Sequence, residues 1–185
     1  LDIPRIFTIT ESEHRIHNPF TPEKLATLGA VLRLKPGMRI LDLGSGSGEM
    51  LCTWARDYAI TGVGVDMSQL FSEQAKQRSE ELGVSENVTF IHGDAAGFVT
   101  DEKCDVAACV GATWIGGGVA GAIALLQKSL RPEGIILIGE PYWRQLPPTE
   151  EVAQACFANA IADFHTLPEL VASFDELGFD VVEMV

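Results

Sequence analysis

From Thr21 onward the apolar positions alternate between two rhythms. In "TPEKLATLGAVLRL" Leu25, Leu28, Val31 and Leu32 share one helical face, with Thr21 placed to cap and Pro22 suited to the first turn. After "KPG" comes "RILDL", a short apolar run of strand length, and then a glycine-rich stretch. Met50, Leu51, Trp54, Ala55 and Tyr58 return to helical spacing. The cycle repeats: "TGVGVD" predicts a second strand, and "SQLFSEQAKQRSEELG" a helix capped by Ser68 and closed by Gly83. "VTFIHGD" and "CDVAACVG" predict strands three and four. A glycine-rich link leads to a helix around "VAGAIALLQKSL", "RPEG" turns the chain, and "IILIGE" predicts strand five. Strands that alternate with helices, several of them apolar throughout, predict an α/β fold with a doubly wound, mostly parallel sheet covered by helices on both faces.

The flanks break the rhythm. Residues 1–20 show no period and are expected to be an irregular arm. Residues 141–166 form an insert with a helix of its own, carrying Val152, Cys156, Phe157, Ala160, Ile161 and Phe164 on one face. Thr166 and Glu169 then stand at capping-box spacing before a helix that ends at Gly178, and "FDVVEMV" predicts a sixth strand. The expected organisation is a single domain over 1–185: an arm (1–20), a core (21–140), the insert (141–166), and the last helix and strand (167–185).

Composition changes this picture little, but charge narrows it. Of 185 residues, 46% are hydrophobic, enough for a sizeable core, and no run approaches the roughly 20 apolar residues of a membrane span. Thirteen basic against 26 acidic residues give a formal charge of -13, a field that repels phosphate backbones and anionic membranes. Nucleic acid is therefore a poor partner. Cys52, Cys104, Cys109 and Cys156 form no C-x-x-C pair and read as buried, reduced thiols, with no metal site. The start "LDIPRIFTITESEH" has neither the pattern of a secretion signal nor an initiator Met; the expectation is a cytoplasmic protein with a trimmed N-terminus.

Sheets of this kind bind ligands at the carboxyl ends of their strands. Those ends carry Asp42 to Gly48, Asp66, Gly93-Asp94-Ala95, Val110 to Trp114, and Glu140 to Trp143. Glycines let backbone approach a ligand. Asp66, 22 positions after Gly44, stands near the offset at which an acid accepts from ribose hydroxyls. The spacing G-x-G-x-G of Gly44, Gly46 and Gly48 departs from the dinucleotide G-x-G-x-x-G, and no G-K-[S/T] supports a phosphate loop. Asp42 at the turn opposes a pyrophosphate and suits a cationic ligand.

On "LDLGSGSG", "GVGVDMS", "IHGDA", "DVAACVG" and "LRPEGIILIGE" the chain resembles the class I S-adenosylmethionine-dependent methyltransferases, over about residues 25 to 140 and more loosely at the end. The resemblance implies a Rossmann-like sheet and S-adenosyl-L-methionine as cofactor. It implies that Gly44, Ser45 and Gly46 lie against the methionine part with Asp42 nearby. Asp66 would bind the ribose, Met67 would pack on the adenine, Asp94 and Ala95 would read its edge, and Val110 and Gly111 would flank the reactive methyl. It also implies a seventh, antiparallel strand, which is missing here, so that residues beyond Val185 are expected in the natural protein.

For the acceptor the residues say less. "VGATW" replaces the N/D-P-P-Y/F tetrapeptide of many nucleobase amino-methyltransferases, and the Pro-Cys pair of cytosine-5 enzymes is absent. With the acid excess, this favours a small molecule. The arm and the insert are expected to form pocket walls and a lid, with Trp114, Tyr142 and Trp143 lining an apolar pocket and His14, His17, Glu140 and His165 as candidate bases. Catalytic residues and oligomeric state stay open. So do two other readings: an NAD-dependent oxidoreductase on a similar sheet, and a non-catalytic protein that binds the cofactor or a partner.

Overall fold

The computed structural model describes residues 3–185. The chain divides into two compact units, the first running to Gly139 and the second from Glu140 to Met184. The boundary falls where the strand–helix rhythm breaks.

The first unit holds five parallel strands: β1 (Arg39–Leu43), β2 (Thr61–Asp66), β3 (Val88–His92), β4 (Cys104–Val110) and β5 (Leu130–Gly139), in the order β3-β2-β1-β4-β5. The order reverses between β1 and β4, so the crevice at their carboxyl ends is the expected ligand site. The helices are α1 (Arg5–Glu11), α2 (Pro22–Val31), α3 (Glu49–Tyr58), α4 (Gln69–Glu81) and α5 (Val119–Gln127). The Thr21 hydroxyl accepts from the Lys24 N–H to start α2, and the Ser68 hydroxyl accepts from the Phe71 N–H to start α4.

Alternation along β1 sorts the core. Ile40 faces one layer with Leu25, Leu28, Leu51, Trp54 and Phe90; Leu41 and Leu43 face the other with Val65, Cys109, Leu125 and Leu126. Helices α2 to α4 supply the first layer and α5 the second. Trp54 is almost fully buried, and its indole N–H donates to the Leu25 carbonyl at 3.1 Å, so the largest core side chain leaves no polar atom unmet. Cys52, Cys104 and Cys109 are buried free thiols, but Cys156, expected to be buried, is exposed.

Four expectations change. Residues 5–11 form a helix rather than an irregular arm; none of its residues is buried, and Ile6, Phe7 and Ile9 stay exposed. "RPEG" does not end an element: it is a bulge inside β5, where the register with β4 shifts between Cys104 and Val106 and Glu133 takes φ +61°. Arg131 there pairs with buried Asp105, whose carboxylate also accepts the Arg39 N–H at 2.7 Å. In the second unit the insert helix is short, α6 (Glu150–Ala155). Phe157 turns left-handed (φ +65°), and the Asp163 carboxylate accepts the Asn159 and Ala160 N–H groups instead of letting a helix continue. Finally, "FDVVEMV" forms no strand after α7 (Leu167–Glu176): no ladder takes up its backbone groups, and Val182 and Met184 stay exposed. The Thr166–Glu169 capping box is present, the Glu169 carboxylate accepting both the Thr166 N–H (2.8 Å) and its hydroxyl (2.7 Å).

Candidate functional site

At the carboxyl ends of β1, β2, β3 and β4 the first unit encloses a cavity of about 710 Å³. That is within the range of roughly 300–1,000 Å³ typical of small-ligand sites. Asp42, Gly44, Ser45, Gly46, Asp66, Met67, Asp94, Ala95, Val110, Gly111 and Trp114 all line it, as does His17. Residues distant in sequence thus meet at one crevice because parallel strands end there together.

The floor is the loop after β1. Gly44 (φ +80°) and Gly46 (φ +52°) take left-handed conformations that a Cβ would strain, and a Cβ on Gly44 would stand 2.6 Å from the Ala112 methyl group. The loop is pinned by Asp66: one carboxylate oxygen accepts the Gly46 N–H and the other the Ser68 N–H, each at 2.8 Å. A carboxylate has about four acceptor positions, so two remain for a ligand's hydroxyls. Asp94, exposed at the end of β3, accepts the Ala96 N–H through one oxygen at 2.8 Å.

Asp42 behaves differently. It is 3% exposed, and burial, with the nearby Asp66 charge second, raises its carboxyl from the ordinary 3.8 to about 7. Glu11, Asp42, Glu49, Asp66 and Asp94 line the cavity against a single basic residue, Arg15. Glu49 is neutralised by Arg78, whose guanidinium grips both its oxygens at 2.7 and 2.9 Å. The remaining acids still make a field that favours a cation and opposes a pyrophosphate. Among the described residues no cluster of His, Cys, Asp or Glu could hold a metal ion.

The roof comes from the segment between α1 and α2. His17 packs against Phe71 with ring centroids 4.2 Å apart and the rings tilted by 52°, and its Nε2 lies 2.8 Å from the Ser47 hydroxyl. The Asn18 amide donates to the Val110 carbonyl at 3.2 Å. Sequence reasoning does not single out Asn18, Ser47, Phe71 or Gln74. Their contacts span up to 92 positions, and nothing local marks them. Apolar walls come from Phe7, Ile16, Phe20, Met50, Trp114 and Ile115, and Trp114 remains 62% exposed.

Glu140, Tyr142 and Trp143 belong to the second unit. There the Trp143 indole N–H donates to the Ile161 carbonyl at 2.8 Å and its ring meets Phe164 edge-on, so packing within that unit accounts for it. His165 accepts the Trp143 N–H through its backbone carbonyl. The His14 side chain, 62% exposed, pairs with Glu11 at 3.1 Å. No described helix is long and apolar enough to cross a membrane.

A sequence model of the methyltransferase domain family matches residues 34–182. The chain is 76% identical, over its full length, to the uncharacterized protein YjhP of Escherichia coli, of which it covers 75%. It is similar to the crystal structure of a SAM-dependent methyltransferase from Geobacter sulfurreducens in complex with S-adenosyl-L-homocysteine (TM-score 0.98, 76% identity, 100% of this chain and 74% of that one). A SAM-dependent methyltransferase from Thiobacillus denitrificans, in complex with the same molecule, is comparably similar (TM-score 0.96, 74% identity, 100% and 75%). With the sheet order, the glycine loop and these relatives in agreement, the chain belongs to the class I S-adenosylmethionine-dependent methyltransferases and is an enzyme of that family.

Proposed function

We propose that the cavity holds S-adenosyl-L-methionine and that the enzyme methylates a small-molecule acceptor. The observation that carries this reading is the Gly44–Gly46 loop tied to Asp66: a bare backbone beside an acid that keeps free acceptor positions, with a second acid, Asp42, buried behind it. When bound, the sulfonium supplies a methyl group to an attacking lone pair in line with the departing thioether.

The chain's own residues bind and orient. Gly44, Ser45 and Gly46 admit the methionine portion without a side-chain collision. Asp66 offers its remaining lone pairs to the ribose hydroxyls, and Asp94 its second oxygen to the adenine amino group. Met67 packs against the ring, and the Ala95 backbone N–H donates to its edge. Val110 and Gly111 stand at the end of β4, the side from which an acceptor approaches. Holding both partners in line supplies most of the rate such a site can give. Phe7, Ile16, Phe20 and Trp114 give the cavity apolar walls that fit an apolar or aromatic acceptor rather than a nucleic acid, in keeping with the charge of -13.

Calorimetric titration should show S-adenosyl-L-homocysteine binding and no comparable heat with NAD. NAD binding alone would replace this reading with the oxidoreductase one, which the acid-rich cavity and the spacing of Gly48 oppose. A metabolite screen with methyl-labelled cofactor should then transfer label to a small organic acceptor. Label appearing only in RNA, DNA or protein would refute the small-molecule part.

A further inference from the structure

His17 lines the cavity of the first unit and is held there by a built network, and that network fixes where its protons are. The Gln74 side-chain amide donates to the Ser12 carbonyl at 2.8 Å. A carbonyl only accepts, so the amide nitrogen must face Ser12 and the amide oxygen Ser47. The Ser47 hydroxyl donates to that oxygen at 2.8 Å, which uses its single proton. Toward His17 Nε2, 2.8 Å away, the same hydroxyl can only accept. The His14 carbonyl, 3.2 Å from Nε2, makes the same demand independently. Nε2 therefore carries the proton, and in the neutral ring Nδ1 is a bare lone pair.

That lone pair sits at the glycine loop. A Cβ built on Gly46 would lie 2.7 Å from Nδ1, and both residues line the cavity. Among the described residues Nδ1 has no hydrogen-bond partner. Burial lowers the imidazole below its ordinary value, against the raising pulls of Glu11, of the bond to the His14 carbonyl and of Asp66, with the His14 charge a smaller lowering, and so favours the neutral ring. Phe71, its ring tilted against the imidazole at a centroid distance of 4.2 Å, limits its rotation. An acceptor atom locked beside the loop, in a cavity whose charged lining residues are Glu11, Asp42, Glu49, Asp66 and Asp94 against Arg15, asks for a hydrogen-bond donor that is itself positive.

We propose that His17 Nδ1 accepts a hydrogen bond from the α-ammonium group of the cofactor's methionine moiety, so that His17 is a cofactor-binding residue rather than the base of the methyl transfer. The inference rests on the cofactor reading above. It also gives the roof segment a direct stake in the ligand: the residue that closes the cavity is the one that reads the amino group.

The test uses S-adenosyl-L-homocysteine and its deaminated analogue, in which hydrogen replaces the α-amino group. His17→Phe keeps a flat ring on Phe71 and removes both nitrogens. By calorimetry the wild type should prefer the amino-bearing ligand, and His17→Phe should shrink that preference by about tenfold or more, the usual worth of a hydrogen bond to a charged group. An unchanged preference ratio would overturn the inference while leaving the cofactor reading intact. A wild type that binds neither ligand would overturn both. Nitrogen NMR of the wild-type imidazole rings keeps the test independent of the variant's folding. The free protein should show His17 with a bare Nδ1, and that resonance should shift with S-adenosyl-L-homocysteine but not with the deaminated analogue. A protonated Nδ1, or an Nδ1 indifferent to the amino-bearing ligand, would refute it.

Discussion

Replacing Asp42 by asparagine should stabilise the enzyme at neutral and alkaline pH. Asp42 lies on β1 between Leu41 and Leu43, beside Gly64 of β2 and Ala108 of β4, and is 3% exposed. Burial first, and Asp66 second, raise its carboxyl to about 7. An unfolded chain gives up that proton near the ordinary carboxylate value of about 3.9. Between those values the folded protein holds a proton that the unfolded chain has released, so stability falls as pH rises through the window. The wild type is free of this cost below about pH 4 and bears all of it, roughly 4 kcal/mol, above about pH 7. An asparagine side chain has no such proton to lose. Between pH 5 and 8 the difference in unfolding free energy should therefore move in favour of Asp42→Asn by about 2–3 kcal/mol. Urea unfolding of both proteins at pH 5, 6, 7 and 8 measures this directly, because groups that titrate alike in both cancel. Parallel pH profiles would refute the reasoning: Asp42 would then be ionised at its ordinary value, and solvent or a fixed donor would be reaching it. Saturating S-adenosyl-L-homocysteine should narrow the gap, since an ammonium beside the carboxylate compensates the buried charge.

Asp66→Ala removes the acceptor for the Gly46 and Ser68 N–H groups and, in the proposed complex, for the ribose. S-adenosyl-L-homocysteine affinity should drop about 10- to 100-fold, and an unchanged Kd by calorimetry would take Asp66 out of the site. Gly111→Ala puts a Cβ at φ +75° against the Asn18 side-chain oxygen and should dislodge Asn18 from the Val110 carbonyl. The cost should be roughly 1–3 kcal/mol in urea unfolding, with faster tryptic cleavage at Arg15; wild-type resistance would mean that the roof is held by other contacts.

The elements from Thr21 to Gly139 are legible because each helix there buries one face, which imposes a spacing, and the central strands β1 and β4 are buried on both, which makes them apolar runs. Where burial is absent the reading fails. Helix α1 buries nothing, and its sequence shows no period. Val181 to Val185 look like a strand, yet without a neighbouring ladder their apolar side chains settle nothing. The insert misleads for a related reason: Val152 to Phe164 have helical spacing, but Asp163 turns back onto the Asn159 and Ala160 N–H groups, a local polar bond that outcompetes helix continuation.

Asp42, the glycines, Asp66 and Asp94 could be lined up from sequence because each stands at the end of a recognisable strand, and parallel strands bring their ends together by necessity. That much was determined by the sequence alone: the sheet through periodicity, and the kind of cofactor through the family resemblance carried by the glycines and acids at the strand ends. The roof was decided by tertiary structure. Whether His17 faces the cavity and which of its nitrogens carries the proton depend on Ser47, Gln74, Phe71 and Asn18, residues brought together across tens of positions, and how far Asp42 is driven toward neutrality depends on burial and on Asp66. Hydrogen-bond direction and burial are properties of neighbours in space, and a linear pattern records them only where the backbone itself forces the neighbourhood.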